Sequence, residues 1–288
     1  MKEILVHSFL HSLEECAAML PILFLSYLIV EYAEHKMSSR TKDMIYRAGK
    51  AGPLIGGLIG LIPQCGFAAA AAGLFAGGMI SPGTLLAVFL ATSDEMLPIM
   101  VSGGIGMGMI GKILTVKAVV GITAGFLFDA ALYRIRGPRE RMQEYTEMCE
   151  HDGCGCSGHG IVGPAVYHTI HTTLFLLVVS VLVGIAMEWF EATGTMGQLI
   201  EIAGLESMIC GLAGMVPNCA ASVLITKLFI EGMITPGAMF AGLLCGAGTG
   251  LLVMFRESKN IKKNLIMTGV LYVTGVCSGI VIGLLNIL

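Results

Sequence analysis

Long apolar stretches separated by short breaks run along the whole chain. They lie at about residues 4–32, 51–78, 83–110, 113–133, 164–190, 208–230, 236–255 and 264–288. A membrane-spanning helix needs about 20 predominantly apolar residues, and most of these stretches approach or exceed that length. Charged residues separate some stretches, whereas only glycine or proline separates others. The pattern predicts an all-α fold, that of a polytopic membrane protein.

The chain contains an internal repeat. Residues 57–100 align without a gap on residues 211–254, and more than a third of the aligned positions are identical. The best-matched segments are IPQCG with VPNCA and GMISPG with GMITPG. Such a match indicates duplication of one structural unit. We expect a first transmembrane repeat at 1–135, a Cys/His-containing linker at 136–163 and a second transmembrane repeat at 164–288.

Loop charges predict how the two repeats are oriented, because cytoplasmic loops carry an excess of Lys and Arg. The segment 35–50 carries five such residues, whereas its counterpart 188–206 carries none. The next pair of loops reverses the pattern, since 255–263 is basic and 101–111 is uncharged. Equivalent loops therefore fall on opposite sides, which predicts inverted repeats. Both termini would be external, and the linker 134–163 would be cytoplasmic.

Breaks in the predicted helices recur at matching places. Residues 51–102 are too few for three comfortable spans at 1.5 Å per residue. One arrangement is a re-entrant helical hairpin broken at PQCG (63–66), followed by a discontinuous span broken at TSDE (92–95). Three short crossings are the alternative. Discontinuous helices in corresponding places of two inverted halves indicate a transport site near the midplane.

Two adjacent carboxylates occupy the second break. Asp94 and Glu95 follow Ser93 inside an apolar stretch, where each charge costs about 2.5–3.5 kcal/mol. Carboxylates suit hard divalent cations such as Mn²⁺, and they suit proton coupling. The alternative is a structural salt bridge to a lysine of the next predicted span, Lys112 or Lys117. The second repeat has glycine and threonine at the matching positions, so the predicted acid chemistry is asymmetric.

A second candidate ligand set lies in the first apolar stretch. Its spacing of three, four and seven residues places His7, His11 and Glu14 on one helix face. Imidazole with carboxylate is a ligand set for transition metals. The alternative is a polar patch at the outer interface of the membrane. His168 and His171 are candidate counterparts in the second repeat.

The first break of each repeat carries an amide followed by a thiol. Gln64 and Cys65 match Asn218 and Cys219, each pair after a proline. Proline frees backbone carbonyls, and the amide oxygens are neutral ligands. We expect Gln64 and Asn218 to line a substrate site. The two thiols bind a soft metal on one interpretation and pack as small apolar groups on the other.

The linker is a third candidate metal site. Within a glycine-rich segment lie five potential ligands, Cys149, His151, Cys154, Cys156 and His159. The spacing differs from that of a zinc finger, so the candidate is a flexible metal-handling site. A disordered linker is the alternative.

The segment IPQCGFAAAAAGLFAGGMISPGTLLAVFLATSDEMLPI (62–99) resembles the signature of the ten-helix heavy-metal exporter family, whose members are also labelled arsenic efflux proteins or manganese transporters. The resemblance covers nearly the whole chain, including the His-bearing first helix and the Cys/His-bearing linker. It implies an inner-membrane exporter of a metal or metalloid.

Composition narrows the function classes. Apolar residues make up 55% of the chain and charged residues 13%, about half the usual charged fraction of a soluble domain. No basic tract indicates nucleic acid, and no glycine loop suited to phosphate occurs, so an ion gradient is the expected energy source. The leading hypothesis is a non-enzymatic secondary exporter of a divalent metal, Mn²⁺ first, coupled to protons. Its partners would be the lipid bilayer and the inorganic ion, with no cofactor beyond the transported ion; a homodimer is left open.

Alternative functions belong to other classes. An arsenite efflux permease is the runner-up, because arsenite is uncharged at neutral pH and calls for thiols or neutral groups. A membrane-embedded metalloenzyme would activate water with His and Glu, and a metal sensor would bind without flux. Neither requires an inverted pair of broken-helix repeats.

Overall fold

The computed structural model describes residues 2–36, 51–93, 96–135, 162–193, 205–258 and 260–285, and within these ranges it contains helices and no strand. In chain order the helices are α1 (Lys2–Lys36), α2 (Gly52–Gly60), α3 (Cys65–Ala76), α4 (Pro82–Ala91), α5 (Met96–Ser102), α6 (Met107–Ile135), α7 (Val162–Thr193), α8 (Glu206–Gly214), α9 (Cys219–Ile230), α10 (Pro236–Cys245), α11 (Thr249–Glu257) and α12 (Ile261–Leu285). The prediction of an all-α fold is confirmed.

Six segments of the described chain are long and apolar enough to cross a membrane. Four lie in the single helices α1, α6, α7 and α12, and two are composites, α4 with α5 and α10 with α11. The remaining pieces, α2, α3, α8 and α9, contain 9 to 12 residues. At 1.5 Å per residue they span about 14–18 Å, well short of the roughly 30 Å hydrocarbon core.

The two composite spans form the centre of the bundle. In them 75% and 89% of the positions are buried, whereas the four single-helix spans have 28–35% of their positions buried. The side chains of Phe89 on α4 and Phe240 on α10 are completely enclosed. The outer helices α1, α6, α7 and α12 keep many large apolar side chains on the surface, as expected for helices that face lipid.

Helices α2–α6 and α8–α12 follow in the same order and make matching close contacts. Helix α2 packs on α4 and α4 on α6, while α8 packs on α10 and α10 on α12. A Cβ atom added at Gly57 would lie 2.5 Å from Ile122, and one added at Gly211 would lie 2.6 Å from Val276. Both pairs obey the same sequence spacing of 154 residues as the repeat. Small residues therefore allow the same close approach of helix backbones twice in the chain.

The two sets of helices also contact each other. Helix α1 packs along α7, α3 packs against α11, and α9 packs against α5. Gly250 of α11 faces the backbone of α3, because a Cβ at this position would lie 3.0 Å from the carbonyl oxygen of Ala68. Each short helix after a break therefore touches the second segment of the other repeat's composite span.

Hydroxyl side chains and proline begin the first segment of each composite span. Ser81 caps α4 and Thr235 caps α10, each accepting a hydrogen bond from the backbone N–H three residues later. A carboxylate reinforces each cap: Asp129 accepts from the Ser81 hydroxyl at 2.5 Å, and Glu206 accepts from the Thr235 hydroxyl at 3.0 Å. Negative charge at a helix N-terminus is favourable, so both caps hold the start of a central helix.

Candidate functional site

The first break of each repeat is a short non-helical turn that restarts a helix. Helix α2 ends at Gly60 and α3 begins at Cys65, while α8 ends at Gly214 and α9 begins at Cys219. Gln64 and Asn218, the residues before the restarts, have extended backbone with φ of −158° and −150°. The preceding proline in each repeat disfavours continuation of the upstream helix. The sequence PQC and its counterpart PNC thus set the direction of α3 and α9.

The two restarting helices meet at their first residues. The Sγ atoms of Cys65 and Cys219 are 3.1 Å apart, and both residues are buried. These cysteines occupy the same position in the two repeats. The two breaks, which the sequence analysis identified only as equivalent positions, are thus in direct contact inside the bundle through their thiols.

The amide before each thiol anchors the break to a long outer helix. Gln64 donates from Nε2 to the carbonyl of Ala18 in α1 at 3.1 Å, and Asn218 donates from Nδ2 to the carbonyl of Ser180 in α7 at 3.0 Å. The Asn218 oxygen also caps α9 by accepting from the N–H of Ala220 at 2.8 Å, whereas Gln64 makes no side-chain cap. In this conformation the half-buried Gln64 has the more available amide oxygen.

The second break interrupts each composite span at a buried position. After α4, the Thr92 hydroxyl donates to the carbonyl of Val88 and the Ser93 hydroxyl donates to that of Ala91, and both side chains are enclosed. Asp94 and Glu95 lie outside the described residues. Their counterparts are Gly248, whose φ of 52° requires a residue without Cβ, and Thr249, which is completely buried and donates to the Met19 sulfur at 3.5 Å.

A lysine lies between the two composite spans. Lys117 of α6 is buried, with only 1% of its surface exposed. Its ammonium group donates to the carbonyl of Thr92, at the end of α4, and to the carbonyl of Leu243, in the last turn of α10, at 2.9 Å. The hypothesis of a salt bridge from this lysine to Asp94 or Glu95 concerns residues outside the described ranges.

A second group of polar side chains joins α1, α7 and α11. The Tyr27 hydroxyl and the Thr172 hydroxyl each lie 3.0 Å from the Glu257 carboxylate and 3.0 Å from each other. The His168 ring stacks on the Tyr27 ring, with centroids 5.7 Å apart, and its Nε2 lies 4.0 Å from the buried carboxylate of Glu31. His168, a predicted candidate ligand, therefore lies in a network of acidic and hydroxyl side chains.

The remaining predicted ligands either are exposed away from the breaks or lie outside the described residues. Glu14 is exposed on α1, on a different side from the buried Cys16 and Met19. His7 and His11 belong to α1, but their side chains lie outside the described residues. His171 is exposed, and its backbone carbonyl accepts a hydrogen bond from Arg256. The linker ligands Cys149, His151, Cys154, Cys156 and His159 also lie outside the described residues.

The described side chains form no complete metal site. In those parts of the chain, no group of three or more His, Cys, Asp and Glu side chains is close enough to hold a metal ion. The thiol pair supplies two soft donors and the neighbouring amides supply neutral oxygens. A complete ligand shell for a hard cation at this place would need further oxygen ligands.

Four polar residues of these networks were absent from the predicted site. The sequence indicates Lys117 only as a salt-bridge partner, and it gives no prediction for Tyr27, Glu31 and Glu257. A usable signal existed for Lys117 and Glu31, because a charge inside an apolar stretch indicates an internal partner or a function. Tyr27 and Glu257 carry no comparable signal, since one is an ordinary helix residue and the other lies beside a basic loop.

Comparisons with known proteins identify no relative: no family model, no curated protein and no solved structure matches this chain. The class is given by the fold itself. Six apolar spans in the part of the chain that the structure describes indicate a polytopic α-helical membrane protein.

Proposed function

We propose that this chain is a secondary active transporter that exports a small inorganic cation, a divalent transition metal with Mn²⁺ as the first choice. The observation that carries the proposal is the contact of Cys65 with Cys219. It joins the breaks of two repeated units inside the bundle, beside composite spans that are themselves interrupted. Non-helical backbone at membrane depth is tolerated where it is enclosed by protein or lines a cavity, and paired interruptions are typical of transport sites.

The proposed topology is a pair of inverted repeats. The charge reversal between matching loops supports it, with the basic segments 35–50 and 255–263 in the cytoplasm and both termini external. Helices α2 with α3 and α8 with α9 would form re-entrant hairpins, because each arm is too short to span the bilayer. Alternating access would then arise when one broken-helix unit moves against the other around the thiol pair.

The proposed cation site combines acids of the first repeat with neutral groups of both. Asp94 and Glu95 would bind the metal or exchange it for protons, and Gln64 would add a neutral oxygen. Hard carboxylate and amide oxygens suit Mn²⁺. Export by proton exchange is energetically feasible, because one charge moved through 100 mV yields about 2.3 kcal/mol. The linker cysteines and histidines, with His7, His11 and Glu14, would capture or release the ion away from this site.

Arsenite efflux is the second candidate, and a specific observation favours it. Two thiols 3.1 Å apart can bridge one thiophilic atom, whereas a hard cation gains little from them. Neutral arsenite would need no carboxylate in the site. The two substrates therefore assign the central role to different residues, to Asp94 for the metal and to Cys65 with Cys219 for arsenite.

Transport by the purified protein in proteoliposomes separates these possibilities. We would measure uptake of Mn²⁺, Zn²⁺, Ni²⁺, Ca²⁺ and arsenite with and without a pH gradient, for wild type, Asp94→Asn and Cys65→Ala. Asp94→Glu, which keeps the carboxylate, is the matched control. The metal proposal predicts pH-driven Mn²⁺ flux that falls at least about tenfold in Asp94→Asn, as expected when roughly 1.4 kcal/mol or more of ion binding is lost, and that persists in Cys65→Ala.

Two results would reject this proposal. Arsenite flux that is lost in Cys65→Ala and retained in Asp94→Asn would establish the second candidate instead. The absence of flux for every ion, from protein that is monodisperse and correctly inserted, would reject transport. Hydrolytic activity of the same protein in detergent would then favour a metalloenzyme, and metal binding alone would favour a sensor.

A further inference from the structure

Two equivalent thiols join the repeats inside the bundle. Cys65 is the first residue of α3 and Cys219 is the first residue of α9, and their Sγ atoms are 3.1 Å apart. A disulfide bond is about 2.05 Å long. The residues before the two thiols, Gln64 and Asn218, have extended backbone. Non-helical turns therefore adjoin both sulfurs, and these turns can take up a shift of about 1 Å without unwinding a helix.

The surroundings of the two thiols differ in exposure. In the first repeat, Ile62 keeps 44% of its surface exposed and Gln64 is half-buried, so the protein surface comes within a few residues of Cys65. In the second repeat, Asn218 and Cys219 are both buried. A small oxidant therefore reaches the Cys65 thiol first, and the Cys219 thiol lies behind it.

We propose that Cys65 and Cys219 form a redox switch that ties the two repeats together, with hydrogen peroxide as the oxidant. The Cys65 thiolate attacks the peroxide, the O–O bond breaks, and a sulfenic acid forms as one water leaves. The Cys219 thiol then attacks the sulfenic sulfur, so that the S–S bond forms and a second water leaves. Two thiols thus lose two electrons and two protons to one peroxide, which becomes two waters.

The local structure favours this chemistry, and the chemistry is reversible. The N-terminus of a helix carries about half a positive charge, which stabilises an anionic sulfur during the first step. A small dithiol would restore both thiols by two successive exchange reactions, in which its own sulfurs become the disulfide. Oxidation would therefore switch the protein between two covalent states without destroying it.

The bond would join units that move against each other in the proposed mechanism. A disulfide holds its two Cα atoms within about 6.8 Å of each other, and these atoms begin α3 and α9. Helix α3 packs against α11, and α9 packs against α5, so the bond would also restrain the second segments of both composite spans. This effect on flux rests on the proposed function, whereas formation of the bond does not.

The bond is tested on purified protein in detergent, without transport. Wild type is compared with Cys219→Ser and with Cys277→Ser, which removes an exposed thiol of α12. After hydrogen peroxide, digests of unreduced wild type and Cys277→Ser should contain the 65–219 bridge. Both proteins should then unfold at least about 8 °C higher, because a crosslink that closes a long loop restricts the unfolded chain. Cys219→Ser should show neither change, and absence of the bridge in folded wild type would overturn the proposal.

The switch is tested in proteoliposomes by pH-driven Mn²⁺ uptake, with each protein compared with its own rate before treatment. Peroxide should lower the rate at least about tenfold in wild type and Cys277→Ser, because bridged repeats cannot undergo the rigid-body motion of alternating access. A dithiol should restore it. Cys65→Ser and Cys219→Ser should each keep the rate they had before peroxide.

The outcomes separate the switch from the transporter. Bridged wild type with undiminished flux would reject the switch and keep the transporter. An equal loss of flux in Cys219→Ser would assign the inhibition to another thiol and also reject the switch. No flux of any ion before oxidation would reject the transporter, and a bridge with a raised Tm would then still support a covalent link between the repeats.

Discussion

Alanine substitutions at two equivalent glycines should destabilise the protein to different, predictable degrees. Gly60 is the last residue of α2, and Gly214 is the last residue of α8. A Cβ atom at Gly60 would lie 2.7 Å from the carbonyl oxygen of Val88, whereas one at Gly214 would overlap the carbonyl group of Gly242, with its carbon 2.8 Å away. The obstacle is helix backbone in both cases, so no side-chain rotation can relieve the overlap.

The structure sets the order of the effects. At Gly60 the neighbour must move by a few tenths of an ångström or more, and at Gly214 the two helix backbones must separate by about 1 Å for normal contact. Overpacking of this kind costs about 1–3 kcal/mol, and we place Gly214→Ala at the upper end and Gly60→Ala at the lower end. Gly269 is the control, because a Cβ there would meet nothing within 4 Å, and alanine can gain up to about 1 kcal/mol in a helix interior.

The assay is thermal unfolding of the three purified variants in one detergent, with size-exclusion profiles to confirm monodispersity. At about 2–4 °C per kcal/mol, Gly214→Ala should lower Tm by about 6–12 °C and Gly60→Ala by about 2–4 °C. Gly269→Ala should equal or slightly exceed wild type. Equal stability of Gly214→Ala and Gly269→Ala would refute the close crossing of α8 and α10, and the reverse order of the two sensitive glycines would refute the graded contact.

Two further predictions concern the thiol pair and a helix cap. In a protein that retains only Cys65 and Cys219, a mild oxidant should form an intramolecular disulfide, because the sulfurs need to approach by only about 1 Å. Mass spectrometry of the unreduced digest would detect it. A protein that retains only Cys65 and the exposed Cys277 should form no such disulfide, and failure of the first pair to react would contradict the contact. Asp129→Ala should lower stability by about 1.5–3 kcal/mol through loss of charged hydrogen bonds, and a double-mutant cycle with Ser81→Ala that shows no coupling would exclude the cap.

Sequence patterns predicted the elements better than their contacts. Six of the eight predicted apolar stretches correspond to the spans found in the described residues. Helices end and restart at the proline-containing segment 63–66, and a helix ends at Ala91, just before the predicted second break. These features are local, because breaks follow from proline, glycine and hydrogen-bonding side chains. The approach of Cys65 to Cys219 depends instead on how two units pack across 154 residues, and the repeat only suggested that the two positions were equivalent.

The partners of the buried charges were the hardest features to predict. Two hydrogen bonds of Lys117 go to backbone carbonyls, which are present at every position and give no sequence signal. His168 reaches Glu31 and Tyr27 from a different long helix, so the grouping exists only after α1 and α7 have packed together. A charge within an apolar stretch therefore indicated that a partner was needed without indicating which group would supply it.

Charges distinguish two units whose packing is otherwise alike. Asp129 and Glu206 both cap a central helix, but they come from non-equivalent positions, since their counterparts at the repeat spacing of 154 residues are Gly283 and Gly52. Each counterpart glycine packs against the start of the central helix in its own repeat. A Cβ at Gly283 would lie 3.2 Å from Gly237, and one at Gly52 would overlap the Thr84 side chain. The two repeats therefore share the small residues that allow close packing, but each caps its central helix with an acid from a different position.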